Sequence, residues 1–479
     1  MSRVGIALER LSRHWVPVLA VLFALLFLPF LDARPFRFEE GRRVAQALAI
    51  LDGGTWWRLE TFGVPYVNKP PLLPWLIAGF SHLTGGANEW AARLPAVISI
   101  AIAGFAAGLM AQRGAASRPQ IAALAAAVCF LVTQAVLLRV RIAETDGLAT
   151  AFGAVAFLVW ALARMDGRTG LASWLAVAAS FAVAAFAKGP IPLLFPLTAM
   201  VLIELCERRW RDLAALGAAV FAALMPLVLW AAVNAEDASS AHFASEMRLD
   251  PAGSWLVGLR SGPVVLANAL LQASPAIIAA SIWIAVTRSW RREPSGWLAW
   301  ALFLYAVPMF VVVALWPGSS GRYTMPSAWP FSVMAGLLAA RYWPSRWVVA
   351  SVAGLVVALV MEQTILLAIE GRTASQRAAR AEARELEAAF AELPDGRALL
   401  LTPNRHYMYN RFVYAGRNLR RIGQSEAACP PDARFLVAEG EFRAAAEAAK
   451  LWSKMRDIGA GEVSLYARSP AAPSGCASR

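Results

Sequence analysis

Charged side chains gather in this sequence at a few places where apolar stretches end, and their types suit work on a phosphate. Phe38-Glu39-Glu40-Gly41-Arg42-Arg43 sets two carboxylates beside two guanidiniums, and Tyr66-Val67-Asn68-Lys69-Pro70-Pro71 adds a phenol and an ammonium. Further along come Arg139-Val140-Arg141-Ile142-Ala143-Glu144-Thr145-Asp146, then Lys188-Gly189-Pro190, then Gly321-Arg322-Tyr323. Arg offers phosphate oxygens a planar fork and Lys a point charge, and a departing phosphate needs its growing negative charge stabilised. A carboxylate in the same cavity can take the proton of an incoming hydroxyl. For any one of these groups the plainer reading is a solvated loop charge, or a long side chain reaching for the interface. Their shared sidedness weighs against that reading, because a membrane protein ordinarily keeps its loop cations on the opposite face.

That sidedness comes from the apolar stretches. Of 479 residues, 58% are hydrophobic and only 16% charged, with a mean hydropathy of +0.52, too apolar for a soluble fold that must cover its surface in charge. Stretches of spanning length fall near 15–33, 91–111, 120–138, 147–163, 170–187, 189–205, 213–234, 262–286, 296–316, 323–340 and 347–368, about eleven in all. In hydrocarbon each must close its own backbone hydrogen bonds, which makes a polytopic helix bundle. The segment 70–83 is too short to add another span.

Arg3, Arg10 and Arg13, Arg113 and Arg118, Arg164 and Arg168, Arg208, Arg209 and Arg211, Arg288, Arg291 and Arg292, and Arg341 and Arg346 all fall on one side of these spans. The positive-inside rule makes that side cytoplasmic, with the N-terminus. The loop 32–93 and the residues after the last span then lie outside. The net charge of +13 follows this topology and anionic headgroups, and no nucleic-acid motif accompanies it.

After the last span the pattern predicts a helix over Thr373–Leu393, strands at Ala398–Thr402 and Phe435–Ala438, a helix over Glu441–Met455 and a strand around Glu462–Ala467. The expected organisation is a membrane domain, 1–370, that includes the external loop 32–93, a soluble α/β domain, 371–470, and a flexible tail, 471–479. Cys129 and Cys206 fall in apolar spans. Cys429 and Cys476 lie in the polar tail, where an oxidising compartment would let them pair.

Taken in order, Glu39-Glu40-x-Arg42, Tyr66-x-x-Lys69-Pro70, Arg93-Leu94-Pro95, Arg141-x-x-x-x-Asp146, Ala187-Lys188-Gly189-Pro190 and Arg322-Tyr323-x-x-Pro326 resemble the motifs of the aminoarabinose transferase and protein mannosyltransferase superfamily of GT-C glycosyltransferases. The resemblance covers roughly residues 30–340 and rests on motif order and sidedness. It implies a mainly α fold, a polytopic membrane helix bundle of GT-C type with a small C-terminal α/β periplasmic domain, in a bacterial inner membrane. It implies a polyprenyl-phosphate sugar donor, undecaprenyl phosphate in a bacterium, and transfer with inversion to a lipid, protein or glycan acceptor. Residue by residue, Glu39 stands at the family's catalytic acid, Glu40 at the second acid and Asp146 at the second acidic motif. Arg42, Lys69, Lys188, Arg322 and Tyr323 stand where the donor phosphate would be held, with Arg139, Arg141 and Tyr66 as further substrate contacts.

Three departures qualify the match. Glu39 replaces the usual Asp and is one methylene longer, so the carboxylate must be set differently or Glu40 could take its role. Asn68 precedes Lys69 where the lipid A branch commonly has Glu. The later external loop reads Phe243-Ala244-Ser245-Glu246-Met247-Arg248, with His242 beside it. Four His in the chain and no Cys or His cluster predict no required metal or other cofactor. A monomer among membrane lipids is expected. The rival from another class is a transporter or flippase for an anionic polyprenyl-linked lipid, which would want polar groups deep in its spans. A second rival is a noncatalytic scaffold that presents Asn404–Arg421 to a partner.

Overall fold

The computed structural model describes residues 12–54, 56–238, 254–286, 296–315, 321–342, 354, 357, 361, 365, 374–392, 398–401, 409–415, 419–422, 434–440, 442–448, 451–458 and 463–469. Its helices, in chain order, are α1 Trp15–Phe27, α2 Glu40–Leu51, α3 Leu72–Thr84, α4 Glu89–Gly114, α5 Pro119–Leu131, α6 Asp146–Met165, α7 Leu171–Lys188, α8 Leu194–Cys206, α9 Trp210–Val233, α10 Ser254–Gln272, α11 Ala276–Val286, α12 Gly296–Leu315, α13 Met325–Tyr342 and α14 Ala374–Ala391. Two short strands, β1 Glu60–Thr61 and β2 Val64–Pro65, lie between α2 and α3. Each apolar stretch up to 323–340 coincides with a described helix. The last, 347–368, lies outside the described residues apart from isolated positions.

By length and composition α4, α6, α7 and α9 can cross a membrane. The pair Pro263–Gln272 and Ala276–Ile282 would count as one more, but it is bent by 89°. The single span expected over 262–286 is therefore broken. Pro275 has no N–H for the ladder, and its ring crowds the turn before it. The stretch 120–138 breaks too. Helix α5 ends at Leu131, and Thr133 is extended, at φ −65° and ψ 134°, with its hydroxyl bonded 2.8 Å back to the Cys129 carbonyl.

The chain divides into two compact units. One holds residues 1–29, 68–72 and 95–364, which take in α1, most of α4, and α5 to α13. Small residues let its helices approach closely, and α5 buries every residue from Ile121 to Val128. An aromatic group ties α6, α12 and α13 together. Phe157 has its ring centroid 5.2 Å from Tyr305 and 5.8 Å from Trp329, and the Trp329 indole donates to the Ala103 carbonyl of α4 at 3.0 Å. Pairs of this kind contribute roughly 0.5–1.5 kcal/mol each beyond area burial.

A buried acid closes one end of this unit. Glu204 near the end of α8 is fully buried and accepts from the Trp160 indole at 2.8 Å and from Arg164 at 3.0 Å on both oxygens. Arg209 stands 3.7 Å away, and Arg164 lies over the Trp297 ring at 4.9 Å. The sequence reading took Arg164 and Arg209 only as topology signals and passed over Glu204.

The other unit holds residues 30–67, 73–94 and 365–479. The external loop, grouped with the membrane part by chain order, packs instead with C-terminal residues. These form a five-stranded sheet of β3 Ala398–Leu401, β4 Leu419–Arg421, β5 Phe435–Glu439, β6 Trp452–Ile458 and β7 Val463–Arg468 in the order β4-β3-β5-β7-β6. Strand β3 runs parallel to both its neighbours, and the pairs of β7 are antiparallel. The core is Leu399, Ile422, Leu436, Ala438, Leu451, Trp452 and Tyr466, with Ala446 from the helix Phe442–Ala448. The helix expected over Glu441–Met455 thus stops at Ala448, and its last residues, from Trp452, belong to a strand. Trp452 and Ile458 point inward at the ends of an edge strand whose ladder with β7 overrides the helix propensity of Lys454 and Met455. The three-residue β4 was read as loop. Cys429, Cys476, the loop 242–248 and the tail 471–479 lie outside the described residues.

Glu204→Ala removes the acceptor of three hydrogen bonds and leaves the Arg164 guanidinium to its pair with Glu207, so it should cost about 1–3 kcal/mol. Thermal denaturation in detergent reads this, and adding Arg164→Ala should recover part of the loss.

Candidate active site

The acidic pair opens α2, and two different arginines hold it. Phe38, just before it, sits at φ +54°, a left-handed conformation costly for a residue with a side chain. That turn sends the two carboxylates apart. Glu40 is fully buried and meets Arg93 as a fork, Nε to Oε1 at 2.8 Å and Nη2 to Oε2 at 2.9 Å. It also accepts the Arg37 N–H at 3.0 Å. Arg93 spends its other donors on the carbonyls of Leu31, Arg34 and Pro35 at 2.6, 2.9 and 3.2 Å. The guanidinium therefore fastens the whole lead-in, 31–40, around one buried charge. Arg93 stood in a motif of the sequence without a role.

Glu39 keeps 22% of its side chain exposed and pairs with Arg43 at 2.9 Å. Arg43 also donates to the Tyr66 hydroxyl at 3.2 Å and to Gln46 at 3.3 Å, and Gln46 reaches Thr61 of β1 at 3.3 Å. Both Arg42 and Arg43 face the Tyr66 ring, at 5.3 and 5.2 Å. Burial alone would lower the pKa of Arg43, but Tyr66 and the Glu39 carboxylate outweigh it and raise the value above the usual one. Arg43 stays charged. Sequence reading noted Arg43 but gave it no part, and its signal was the i, i+4 spacing from Glu39 on a helix.

A second group of the expected residues converges in the other unit. Asp146 is the first residue of α6 and Lys188 the last of α7, so each charge complements its helix dipole. The Lys188 ammonium pairs with the Asp146 carboxylate and lies 4.5 Å from the centroid of the Tyr323 ring. Gly189, at φ +92°, stops α7 directly after Lys188 in a conformation that a side chain would strain. Arg139 pairs with Glu144 at 3.0 Å, and Arg141 donates to the Leu26 carbonyl, so both brace the turn that leads into α6. Lys69 is half-buried in the same unit. Arg322 lies in the 3-10 turn Gly321–Thr324, and its side chain is outside the described residues. Among the described residues no three His, Cys, Asp or Glu side chains converge as a metal set.

Comparison with known proteins decides the fold. A family model described as dolichyl-phosphate-mannose-protein mannosyltransferase matches residues 68–230. ArnT from Cupriavidus metallidurans, in a structure bound to undecaprenyl phosphate, superposes with a TM-score of 0.70 over 96% of this chain and 99% of that one, at 15% identity. The chain has the GT-C fold. The GT-C likeness extends to an oligosaccharyltransferase from Archaeoglobus fulgidus, with a TM-score of 0.54, 14% identity and coverage of 96% of this chain and 74% of that one. Among curated proteins, the undecaprenyl phosphate-alpha-4-amino-4-deoxy-L-arabinose arabinosyl transferase of Pseudomonas aeruginosa is 28% identical over 236 residues, 48% of this chain. The matched stretch spans 42% of that relative's length. The family match takes in Lys69, Asp146 and Lys188 and begins beyond Glu39.

Arg93→Met should cost about 3–5 kcal/mol by stranding the Glu40 carboxylate, seen as a lower denaturation temperature. Adding Glu40→Gln should restore part of it, and a single variant as stable as the parent would show that the fork holds nothing.

Proposed function

We propose that this protein is a membrane glycosyltransferase that moves a sugar from a polyprenyl-phosphate donor, undecaprenyl phosphate in a bacterium, to a lipid, protein or glycan acceptor on the periplasmic face, with inversion. One observation carries the reading. Of two adjacent carboxylates, Glu40 is consumed by a buried arginine fork while Glu39 remains partly exposed beside a guanidinium, the division expected of a holding acid and a reacting one. The likeness to ArnT and to arabinosyl transferases supports the donor class.

In this mechanism the acceptor hydroxyl gives its proton to Glu39 as its oxygen bonds to the anomeric carbon. The bond from that carbon to the phosphate oxygen breaks on the opposite face, and the lipid phosphate leaves as an anion. Lys188 meets that anion by exchanging Asp146 for phosphate, with Lys69 and Arg322 adding charge and Tyr323 bearing on the ammonium. Arg43, paired with Glu39 at 2.9 Å, orients that carboxylate. If the acceptor is itself a phosphate, no base is needed and Glu39 positions it. No step needs a metal. On this reading the N-terminus lies in the cytoplasm and the C-terminal residues in the periplasm, as the positive-inside rule expects.

Mass spectrometry of lipid A, envelope proteins and polyprenyl-phosphate sugars from cells with and without the gene should show one glycosylated product lost and its donor accumulating. A flippase would instead strand the donor on the cytoplasmic leaflet with Glu39→Gln unaffected. In a transferase, Glu39→Gln should lower turnover roughly 10²–10⁴-fold with undecaprenyl phosphate still bound. Lys188→Met should weaken binding of undecaprenyl phosphate about tenfold, as expected for loss of a charge-assisted contact, measured by titration of the purified protein.

A further inference from the structure

Two C-terminal side chains hold the backbone on either side of the acidic pair. Asn410 lies 369 residues beyond Gly41 in the chain, yet its amide oxygen accepts the Gly41 N–H at 2.7 Å. Its amide nitrogen donates to the Phe38 carbonyl at 3.0 Å. One side-chain amide thus brackets Glu39 and Glu40 and satisfies both a first-turn helix donor and the carbonyl of the left-handed residue before it. The approach is so close that a Cβ on Gly41 would come within 2.6 Å of the Asn410 backbone. A residue with a side chain cannot stand at 41 without pushing the bracket away.

Tyr414 makes a second pair of bonds one turn further on. Its hydroxyl accepts the Phe36 N–H at 3.0 Å and donates to the Glu89 carboxylate at 2.6 Å, while its ring lies 5.1 Å from that of Phe36. Burial and then the Glu89 charge push its pKa above the ordinary tyrosine value, so the phenol keeps the proton it donates. Between the two, Phe412 and Val413 are buried, and α14 packs against the 3-10 turn Val413–Ala415. The segment 409–415 is therefore anchored in its own core and meets the lead-in of α2 through the Asn410 amide and the Tyr414 phenol.

We propose that Asn410 and Tyr414 are positioning residues for the Glu39 carboxylate, so that the C-terminal residues of this chain set the geometry of sugar transfer without touching the sugar. This rests on the transferase reading above. The backbone conformation at Phe38 is unfavourable by itself, and the Asn410 bracket holds it in place. Without that bracket the turn relaxes, and Glu39 moves relative to an acceptor whose position is set elsewhere. Misplacement of a reacting group by an ångström lowers the rate of the chemical step more than it weakens binding of the substrate.

The test uses the full-length detergent-purified chain, with undecaprenyl phosphate-alpha-4-amino-4-deoxy-L-arabinose as donor probe and envelope extract as acceptor source. Asn410→Ala should lower kcat roughly 10–100-fold with KM for the donor unchanged. Asn410→Asp keeps the acceptor for the Gly41 N–H and should recover part of the rate, and Tyr414→Phe should lower kcat in the same way. Hydrogen exchange gives a readout that needs no turnover. The Gly41 amide should be protected in the parent and exchange several-fold faster in Asn410→Ala, as expected for loss of one hydrogen bond. Parent activity abolished by Glu39→Gln, with wild-type kcat in both Asn410→Ala and Asn410→Asp, overturns the positioning role and leaves the transferase reading standing. A rise in KM alone overturns it as well. A parent chain that moves no sugar from any polyprenyl-phosphate donor overturns both readings. Unchanged Gly41 exchange overturns the bracket itself.

Discussion

The buried pair of Glu40 and Arg93 is the constraint on which the site depends. A carboxylate with no exposed surface is tolerated only if its charge is met in full, and Arg93 meets it with both arms of a fork. The same guanidinium gathers three backbone carbonyls between Leu31 and Pro35. The route of the chain into α2 is therefore fixed around one charge. Once Glu40 is committed in this way, its neighbour pairs with Arg43 and stays partly exposed, so two identical residues have two different surroundings. Such pairs are weak evidence for stability in general, and here the benefit is definition of a backbone path.

A similar economy appears at the ends of the membrane helices. Asp146 and Lys188 each sit at the helix terminus whose partial charge favours them, and Gly189 stops α7 where the ammonium is needed. Arg139 and Arg141, equally prominent in the sequence, are turned toward Glu144 and the Leu26 carbonyl. Of the cations that the sequence grouped together, Arg139 and Arg141 brace a turn while Lys188 caps a helix end beside Asp146 and Tyr323. The difference lies in partners that only the folded chain supplies.

Much was legible beforehand. The apolar helices and the GT-C fold follow from local signals, because span length and the order of charged clusters survive without knowledge of tertiary contacts. What escaped was pairing at a distance. Glu40 and Arg93 are 53 residues apart, Arg164 and Glu204 are 40 apart, and no spacing rule links either pair. The strand Trp452–Ile458 was misread for a related reason, since its ladder partner, and not its composition, decides its conformation. Pro275 was visible as a helix breaker, but the apolar run around it suggested a single continuous span.

The separation of Gly41 from Asn410 bears on the order in which the molecule is made. Gly41 leaves the ribosome early, before most of the membrane helices exist, and the amide that accepts its N–H is translated 369 residues later. Until then the acidic turn has only its nearer partners, Arg93 at Glu40 and Arg43 at Glu39. The backbone around Glu39 therefore acquires its last contacts only once the segment 409–415 has been made and folded.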